Sequence, residues 1–223
     1  MLKDLEIEVT VGVMFMNLQL TCTRTSASYQ GDFLRVQWEI VPLSSPFVHS
    51  HGRGGNCYKT QVQAAWDKDY LYLRFHCQDD EIVANMLRRD DPLYDEEVVE
   101  AFIAPTSLGQ YFEFNLSPRN VVFDSLIQHD GTKATGYPNW DCSGLRHGVF
   151  RRNASSSQFG DWDGYLAISF QCLNITPSSG QVMRVNFFRI KRRGGDQYLA
   201  WSPTHAEPAN FHIPHKFGEL ILA

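Results

Sequence analysis

The amino-acid sequence predicts an all-β fold, namely a single-domain β-sandwich of jelly-roll type with antiparallel strands. Two observations support this prediction. Apolar and polar residues alternate with period two in several runs, and glycine, proline and aspartate residues typical of turns lie between those runs. No segment keeps an apolar period of 3.6 residues over three helical turns. Aromatic residues make up 13% of the 223 residues, a proportion that suits two packed sheets.

The alternating runs can be followed along the chain. Residues 59–66 and 70–77 are joined by the turn-forming residues 67–69, so they predict a hairpin. The apolar residues of the second run occupy every second position and therefore one face. The same alternation recurs in three later runs, at residues 111–116, 166–172 and 182–190. Because the sequence contains no internal repeat or linker, we expect one domain over residues 1–223.

The amino-terminal segment lacks the pattern of a secretory signal peptide. Asp4, Glu6 and Glu8 precede an apolar patch at residues 9–16. A signal peptide instead begins with basic residues and ends in a small-residue cleavage site. We therefore expect a strand in this segment, and the sequence leaves the cellular location open.

Composition and charge argue against several classes of protein. The net charge of −5 and the pI of about 5.9 argue against a nucleic-acid partner. No apolar run reaches 18 residues, so we expect neither a membrane-spanning helix nor a membrane partner. The five cysteines include no CxxC pair, and Cys77 and Cys172 fall in predicted strands. We interpret the cysteines as buried free thiols, with one or two disulfides as the alternative for an exported protein.

An acidic segment at residues 79–100 carries nine carboxylates. Ca²⁺ takes six to eight oxygen ligands, so this density favours a structural calcium site, with Asp79 and Asp80 as candidate ligands. The segment is not an EF-hand loop, because the central glycine is missing. Arg88 and Arg89 interrupt the acids, and a solvated loop paired with these arginines is the alternative.

Glu100 stands out within this segment because it falls in a predicted strand at residues 98–103. It shares a face with Val98 and Phe102, where a carboxylate needs a partner or a ligand. A sugar hydroxyl or a neighbouring arginine would serve. Glu113 lies on the next predicted strand, so a glycosidase pair is conceivable. The sequence marks neither acid with a raised pKa, and we therefore expect no enzymatic activity.

Three aromatic residues lie outside the alternating positions, in predicted loops that contain prolines. These are Tyr94, Trp140 and Phe211. An exposed ring offers a flat apolar face that stacks on the C–H face of a pyranose, while adjacent polar groups bind the hydroxyls. The alternative is that each ring fixes its loop to the core.

A set of short stretches, taken in order and spacing, is typical of one known family. The stretches are TQVQAAWD (60–67), YLYL (70–73), QDD (78–80), EVVEAFI (97–103), YFEFN (111–115), RVNFFR (184–189), AWSP (200–203) and FHIPHKFGEL (211–220). Over residues 38–223 the sequence resembles the family 9 carbohydrate-binding modules, best known as appendages of bacterial xylanases. The resemblance implies a non-catalytic, lectin-like β-sandwich with structural calcium. It further implies that the ligand is a sugar unit at the end of an oligo- or polysaccharide such as xylan, and that a catalytic domain can be appended.

The resemblance also implies a binding site. In sugar-binding members two tryptophans clamp the pyranose, and the corresponding positions here are Tyr94 and Phe211. The family's hydroxyl-accepting glutamate corresponds to Glu100, and the strand that supplies an arginine and an asparagine corresponds to Glu113 and Asn115. We therefore expect aromatic stacking and hydroxyl hydrogen bonds. The departures are Tyr and Phe for the two tryptophans and an acid for the arginine.

Two other functions stay open at this point. Sandwiches of the wider superfamily, the DOMON-like domains, hold haem through axial methionine or histidine and transfer electrons. Met86, Met183, His76 and His212 are the candidate ligands for that function. A scaffold or interaction domain with a degenerate sugar site is the second alternative.

Overall fold

The computed structural model describes residues 18–25, 28–55, 57–152 and 160–223. Across these residues the chain forms thirteen strands and four single-turn 3-10 helices, and it contains no helix long and apolar enough to cross a membrane. The strands are β1 (Gln19–Arg24), β2 (Val48–His49), β3 (Thr60–Trp66), β4 (Tyr70–Cys77), β5 (Val98–Ala104), β6 (Gln110–Leu116), β7 (Val122–His129), β8 (Ala134–Tyr137), β9 (Arg146–Arg151), β10 (Trp162–Ser169), β11 (Val182–Lys191), β12 (Gln197–Ala200) and β13 (Gly218–Leu222). The 3-10 helices are Phe33–Arg35, Trp38–Ile40, Leu93–Asp95 and Pro214–Lys216.

The strands form two sheets that share β1. The first sheet has the order β8-β7-β6-β5-β11-β13-β1, with β12 beside β11 and β2 beside β12. The second sheet has the order β1-β3-β4-β10-β9. The start of β1 pairs in parallel with β13 and its end pairs in parallel with β3, whereas the other strand pairs are antiparallel. The all-β sandwich is therefore confirmed, with two parallel contacts that period-two patterning does not predict.

The core lies between the two sheets, where alternate residues of facing strands meet. Val99, Ala101 and Ile103 of β5 contribute to it, as the alternation predicts. Phe75 of the second sheet packs edge-on against Phe187 of the first, with ring centroids 5.9 Å apart. Removing a side chain such as Phe187 from water contributes about 1.5–3 kcal/mol to stability.

The outer face of the first sheet is also covered. Val98, Phe102 and Phe188 form a second apolar cluster there with Phe211 and Phe217 of the carboxy-terminal segment. Every residue of β5 is consequently buried, including those on the outer face. A cleft opens on this covered outer face.

Two sequence predictions about the cysteines are wrong, and a third prediction concerns residues that the structure does not describe. Cys142 and Cys172 form a disulfide, so the interpretation of all the cysteines as free thiols is wrong; Cys22, Cys57 and Cys77 are free. Cys172 does not lie in a strand, because β10 ends at Ser169. The strand expected at residues 9–16 lies outside the described residues. That residues 1–223 form one domain stays a prediction.

Candidate functional site

A cleft of about 500 Å³ opens on the outer face of the first sheet. Its floor consists of outward-facing residues of β5, β6 and β7, and its walls come from the segment around Tyr94, from β8 and from residues 209–212. The lining residues are Tyr94, Glu100, Phe102, Glu113, Phe123, Ser125, Ile127, Ala134, Gly136, Pro138, Ile190, Tyr198, Ala209, Asn210, Phe211 and His212. Four of the five predicted site residues belong to this lining, and the fifth, Asn115, does not.

Tyr94 presents an accessible ring at the mouth of the cleft. It belongs to the 3-10 helix Leu93–Asp95, and 44% of the residue is exposed. Its ring meets Phe123 at a centroid distance of 5.6 Å and an interplanar angle of 85°, so Phe123 supports it from one side. The other parts of the ring remain open to a ligand.

Phe211 is more enclosed than the sequence predicts. One face of its ring stacks on Phe188, with centroids 4.1 Å apart and planes 9° from parallel. Tyr198 packs against its edge at 6.2 Å, and only 8% of Phe211 is exposed. Phe211 therefore both fixes the carboxy-terminal segment to the sheet and contributes to the cleft wall, which combines the two interpretations of its sequence position.

Glu100 and Glu113 are brought together by strand register. Phe102 of β5 pairs with Glu113 of β6, and Glu100 pairs with Asn115, so the two glutamates are diagonal neighbours on one face. Glu100 is 2% exposed and Glu113 5% exposed. The Oε1 atom of Glu100 is buried without a hydrogen-bond partner. A carboxylate in this state needs a ligand donor or a proton.

Both carboxyl groups resist ionisation. Burial and the neighbouring Glu113 raise the pKa of Glu100 well above its ordinary value, while Arg192 opposes this rise. Burial also raises the pKa of Glu113, which its hydrogen bond from Asn115 opposes. The sequence contains no sign of this effect, because it depends on the register that places the two acids side by side.

Asn115 supports the site from within the sheet. It is fully buried, and its Nδ2 donates a 2.9 Å hydrogen bond to Oε1 of Glu113. The predicted contact of Asn115 with a ligand stays a prediction. In this structure its observed role is to orient the carboxyl group of Glu113.

Several residues that line the cleft are not indicated as site residues by the sequence patterns. His212 shares a 2.7 Å hydrogen bond between its Nδ1 and the hydroxyl of Tyr111, and burial lowers its pKa to about 4, so its ring is uncharged at neutral pH. Asn210 and His212 flank Phe211 in sequence, which could have indicated them. Ser125 and Tyr198 reach the cleft through strand pairing, for which the sequence carries no local signal.

Arg192 forms hydrogen bonds to two residues of the cleft lining, Tyr94 and Tyr198. It donates hydrogen bonds to the hydroxyl of Tyr198 at 2.8 Å, to Asp196 at 2.8 Å and to the carbonyl oxygen of Tyr94 at 2.9 Å. Arg192 is not part of the lining. The cleft wall, as far as the described residues define it, contains no lysine or arginine.

The candidate calcium ligands lie in a different setting. Oδ2 of Asp79 accepts hydrogen bonds from Arg189 at 2.8 Å and from Trp162 at 2.9 Å, and Oδ1 lies 2.9 Å from Nζ of Lys191. Lys191 also pairs with Glu97. This buried cluster balances two acids with two bases, so Asp79 offers no free oxygen to Ca²⁺.

Asp80 and a cluster of three aspartates are the other candidate oxygen ligands among the described residues. The side chain of Asp80 is 63% exposed and accepts a 2.8 Å hydrogen bond from the hydroxyl of Tyr58. Asp90, Asp124 and Asp141 lie with their ligand atoms within 4.8 Å of one another, and Arg89 pairs with all three. The arginine supplies the counter-charge there. Calcium binding by this chain stays a prediction.

The candidate haem ligands lie in several different parts of the fold. Met183 is fully buried in the core between the sheets, whereas Met86 packs against the apolar cluster on the outer face. His76 lies 3.0 Å from Asp163 and 2.7 Å from Gln63, and His212 bonds Tyr111 in the cleft. None of these contacts pairs two of the candidates.

A cleft with an exposed ring and two buried acids, carried on a rigid β-sandwich, is the architecture of a binding module. The chain belongs to carbohydrate-binding family 9, whose sequence profile matches residues 50–222. Modules of this family are non-catalytic, and on that ground the chain is a non-catalytic binding domain. A relative in Arthroderma benhamiae, named an extracellular protein, is 25% identical over 196 residues, which cover 82% of this chain and 83% of the relative.

Solved structures share the fold. A Bacteroides uniformis protein whose carbohydrate binding is inferred superposes with a TM-score of 0.76 at 14% identity, covering 93% of this chain and 100% of that one. A family 9 module from Caldicellulosiruptor kristjanssonii superposes with a TM-score of 0.62 at 14% identity, both in complex with glucose and in complex with cellotriose. Those matches cover 92% of this chain and 95% or 93% of the module. At this identity the likeness shows the fold alone.

Proposed function

We propose that this domain binds a sugar unit at the end of an oligosaccharide or polysaccharide, in the cleft between Tyr94 and Phe211. The observation that carries the proposal is the Oε1 atom of Glu100, which is buried in the cleft without a partner. Membership of carbohydrate-binding family 9 supports a sugar as the ligand. The complexes of the Caldicellulosiruptor kristjanssonii module with glucose and cellotriose support a glucose-type ring.

Both aromatic stacking and hydrogen bonding contribute to binding of the sugar. The exposed ring of Tyr94 packs on the C–H face of the pyranose, and Phe211 closes the opposite wall. Glu100 and Glu113 accept hydrogen bonds from ring hydroxyls. A hydroxyl that donates to Glu100 removes the energetic penalty of its unpartnered oxygen, which amounts to about 1–3 kcal/mol for a buried group.

The rest of the site positions these groups. Asn115 orients Glu113, and Arg192 fixes the backbone of Tyr94 relative to Tyr198. The cleft, of about 500 Å³, has room for a pyranose unit. Because one ring buries little surface, we expect a dissociation constant in the micromolar to millimolar range.

Isothermal titration calorimetry with glucose, cellotriose and xylan oligosaccharides tests the proposal. Tyr94→Ala should weaken binding at least ten-fold, and Phe150→Ala provides a matched control. Phe150 is 46% exposed, close to the 44% of Tyr94, but lies on β9 of the second sheet. Equal binding by wild type and Tyr94→Ala would move the site elsewhere. The absence of binding to every sugar would leave a scaffold domain.

A further inference from the structure

We propose that the preferred ligand of the cleft is a cationic amino sugar, a pyranose that carries a protonated amine. This inference rests on the proposed function, because it names the chemical class of sugar that the same cleft takes. Its starting point is the charge of the cleft: two buried acids on adjacent strands face it, and no lysine or arginine is among the described residues of its lining.

The other buried acids in the described parts of the chain are neutralised or fully bonded. Asp79 and Glu97 meet Lys191, Asp124 meets Arg89, and Asp163 meets Arg74. Asp67 has no cation but accepts hydrogen bonds from the hydroxyl of Tyr72 and from the backbone N–H groups of Tyr29, Asp69 and Tyr70. Glu100 and Glu113 differ, since they have neither a lining cation nor a full set of donors.

The groups around the two acids do not supply the missing charge. His212 is uncharged at neutral pH because burial lowers its pKa to about 4. Burial raises the pKa of Tyr94 and, more strongly, that of Tyr111, so both hydroxyls stay neutral. The charge of Arg192 acts on Glu100, but its two terminal nitrogens bond Asp196, Tyr198 and the Tyr94 carbonyl, and its buried Nε has no hydrogen-bond partner.

An ammonium group matches this environment better than a hydroxyl does. It has three hydrogen-bond donors and a full positive charge, so it satisfies Oε1 of Glu100 and supplies the counter-charge that lets these buried acids ionise. The aromatic rings of Tyr94 and Phe123 also line the cleft, and aromatic faces attract cations. A neutral sugar satisfies the lone pairs but supplies no counter-charge, so it does not favour the ionised form of either acid.

Three β-1,4-linked trisaccharides isolate this effect, because they differ only at carbon 2. Cellotriose carries a hydroxyl there, the glucosamine trimer carries a protonated amine, and the N-acetylglucosamine trimer carries a neutral amide. Calorimetric titration at pH 6.5 and low salt should show the glucosamine trimer binding about ten-fold tighter than cellotriose, the gain expected of a charge-assisted hydrogen bond. The N-acetylated trimer should lose this gain.

Two variants and a salt series locate the charge. Glu113→Gln keeps the shape of the side chain and should reduce the preference for the amine to about two-fold. Glu39→Gln removes one exposed acid outside the cleft and makes the same change in net charge, so it should keep the preference. The preference should also fall as salt rises from 20 to 500 mM. The melting temperature of each variant verifies its folding.

The outcomes separate this inference from the proposed function. Equal affinity for cellotriose and the glucosamine trimer, with binding still lost in Tyr94→Ala, would overturn the amino-sugar inference and leave sugar binding in place. A preference that survives when both acids are replaced, in the double variant Glu100→Gln and Glu113→Gln, would assign it to charge outside the cleft and overturn the inference as well. No binding of any trisaccharide would contradict the proposed function itself.

Discussion

Asn115 donates a 2.9 Å hydrogen bond from Nδ2 to Oε1 of Glu113, and both residues are buried on β6. They lie two positions apart on one strand, so their side chains leave the sheet on the same face. Across the strand pair, Glu100 has an oxygen with no partner. The cleft therefore combines one acid held in place by the sheet with one that is open to a ligand.

Replacing Asn115 should raise the pKa of Glu113, to which Asn115 donates a hydrogen bond. In Asn115→Ala the hydrogen bond that opposes the rise in the pKa of Glu113 is lost, so that pKa should increase further. Carboxyl ¹³C shifts followed through a pH titration measure this change, and cellotriose binding should weaken. The free energy of unfolding should fall by about 1–3 kcal/mol, because a buried acceptor loses its donor. Gln37→Ala, at an exposed amide side chain outside the cleft, is the control, and an unchanged pKa of Glu113 would contradict the assigned role.

The stability of the protein should depend on the ionisation of Glu100. Burial raises the pKa of this group in the folded state, so its contribution is full below the unfolded value of about 4.3 and is lost as pH rises through the folded pKa. Glu100→Gln cannot ionise and should therefore be more stable than wild type at pH 8. Each kcal/mol gained corresponds to about 2–4 °C in Tm. The gain should shrink toward pH 4.

Urea unfolding at pH 4, 6 and 8 provides the comparison for this variant. Glu39→Gln, at an exposed position, should follow wild type at all three values. If Glu100→Gln were less stable than wild type at pH 8, the carboxylate would have to be stabilised in the folded protein, contrary to the burial observed. Sugar binding by the same variant should be weaker, so stability and binding should change in opposite directions.

The buried ionic cluster predicts unequal effects at two adjacent acids. Asp79→Asn leaves Arg189 and Lys191 without a full counter-charge, and its free energy of unfolding should fall by about 3–5 kcal/mol. Asp80→Asn removes a largely exposed charge and should change stability by less than about 1 kcal/mol. Denaturation in EDTA and in calcium should give the same difference. A loss at Asp79 that requires calcium would instead support a metal site there.

The disulfide between Cys142 and Cys172 determines how many thiols can be titrated, and it contributes to the free energy of unfolding. In denaturant without reductant, a thiol reagent should titrate three groups, Cys22, Cys57 and Cys77, and five after reduction. Cys142 and Cys172 lie 30 residues apart, and a loop of this size corresponds to about 3–4 kcal/mol in the chain-entropy account. The double variant to serine should lose a stability of this order, whereas Cys57→Ser, at a free cysteine, should not. Five titratable thiols before reduction would contradict the bond.

Much of the site could be predicted from the sequence because its parts lie on strands with clear alternation. The period of two places Glu100 on the face opposite Val99 and Ala101, and β5 confirms this. The hairpin of β5 and β6 is local, so the neighbouring position of Glu113 also follows. The matching family stretches placed Tyr94 and Phe211 at one site, and both line the cleft.

The strand content, the face of each strand and the residue types of the cleft follow from local patterns, because these depend on neighbours within a few positions. How the strands and loops meet depends on contacts between distant parts of the chain. The stacking of Phe211 on Phe188, the pairing of Asp79 with Arg189 and the bond between Cys142 and Cys172 join residues far apart in sequence. The raised pKa values of Glu100 and Glu113 also depend on tertiary structure. Burial and strand register raise them, and a local sequence pattern shows neither burial nor register.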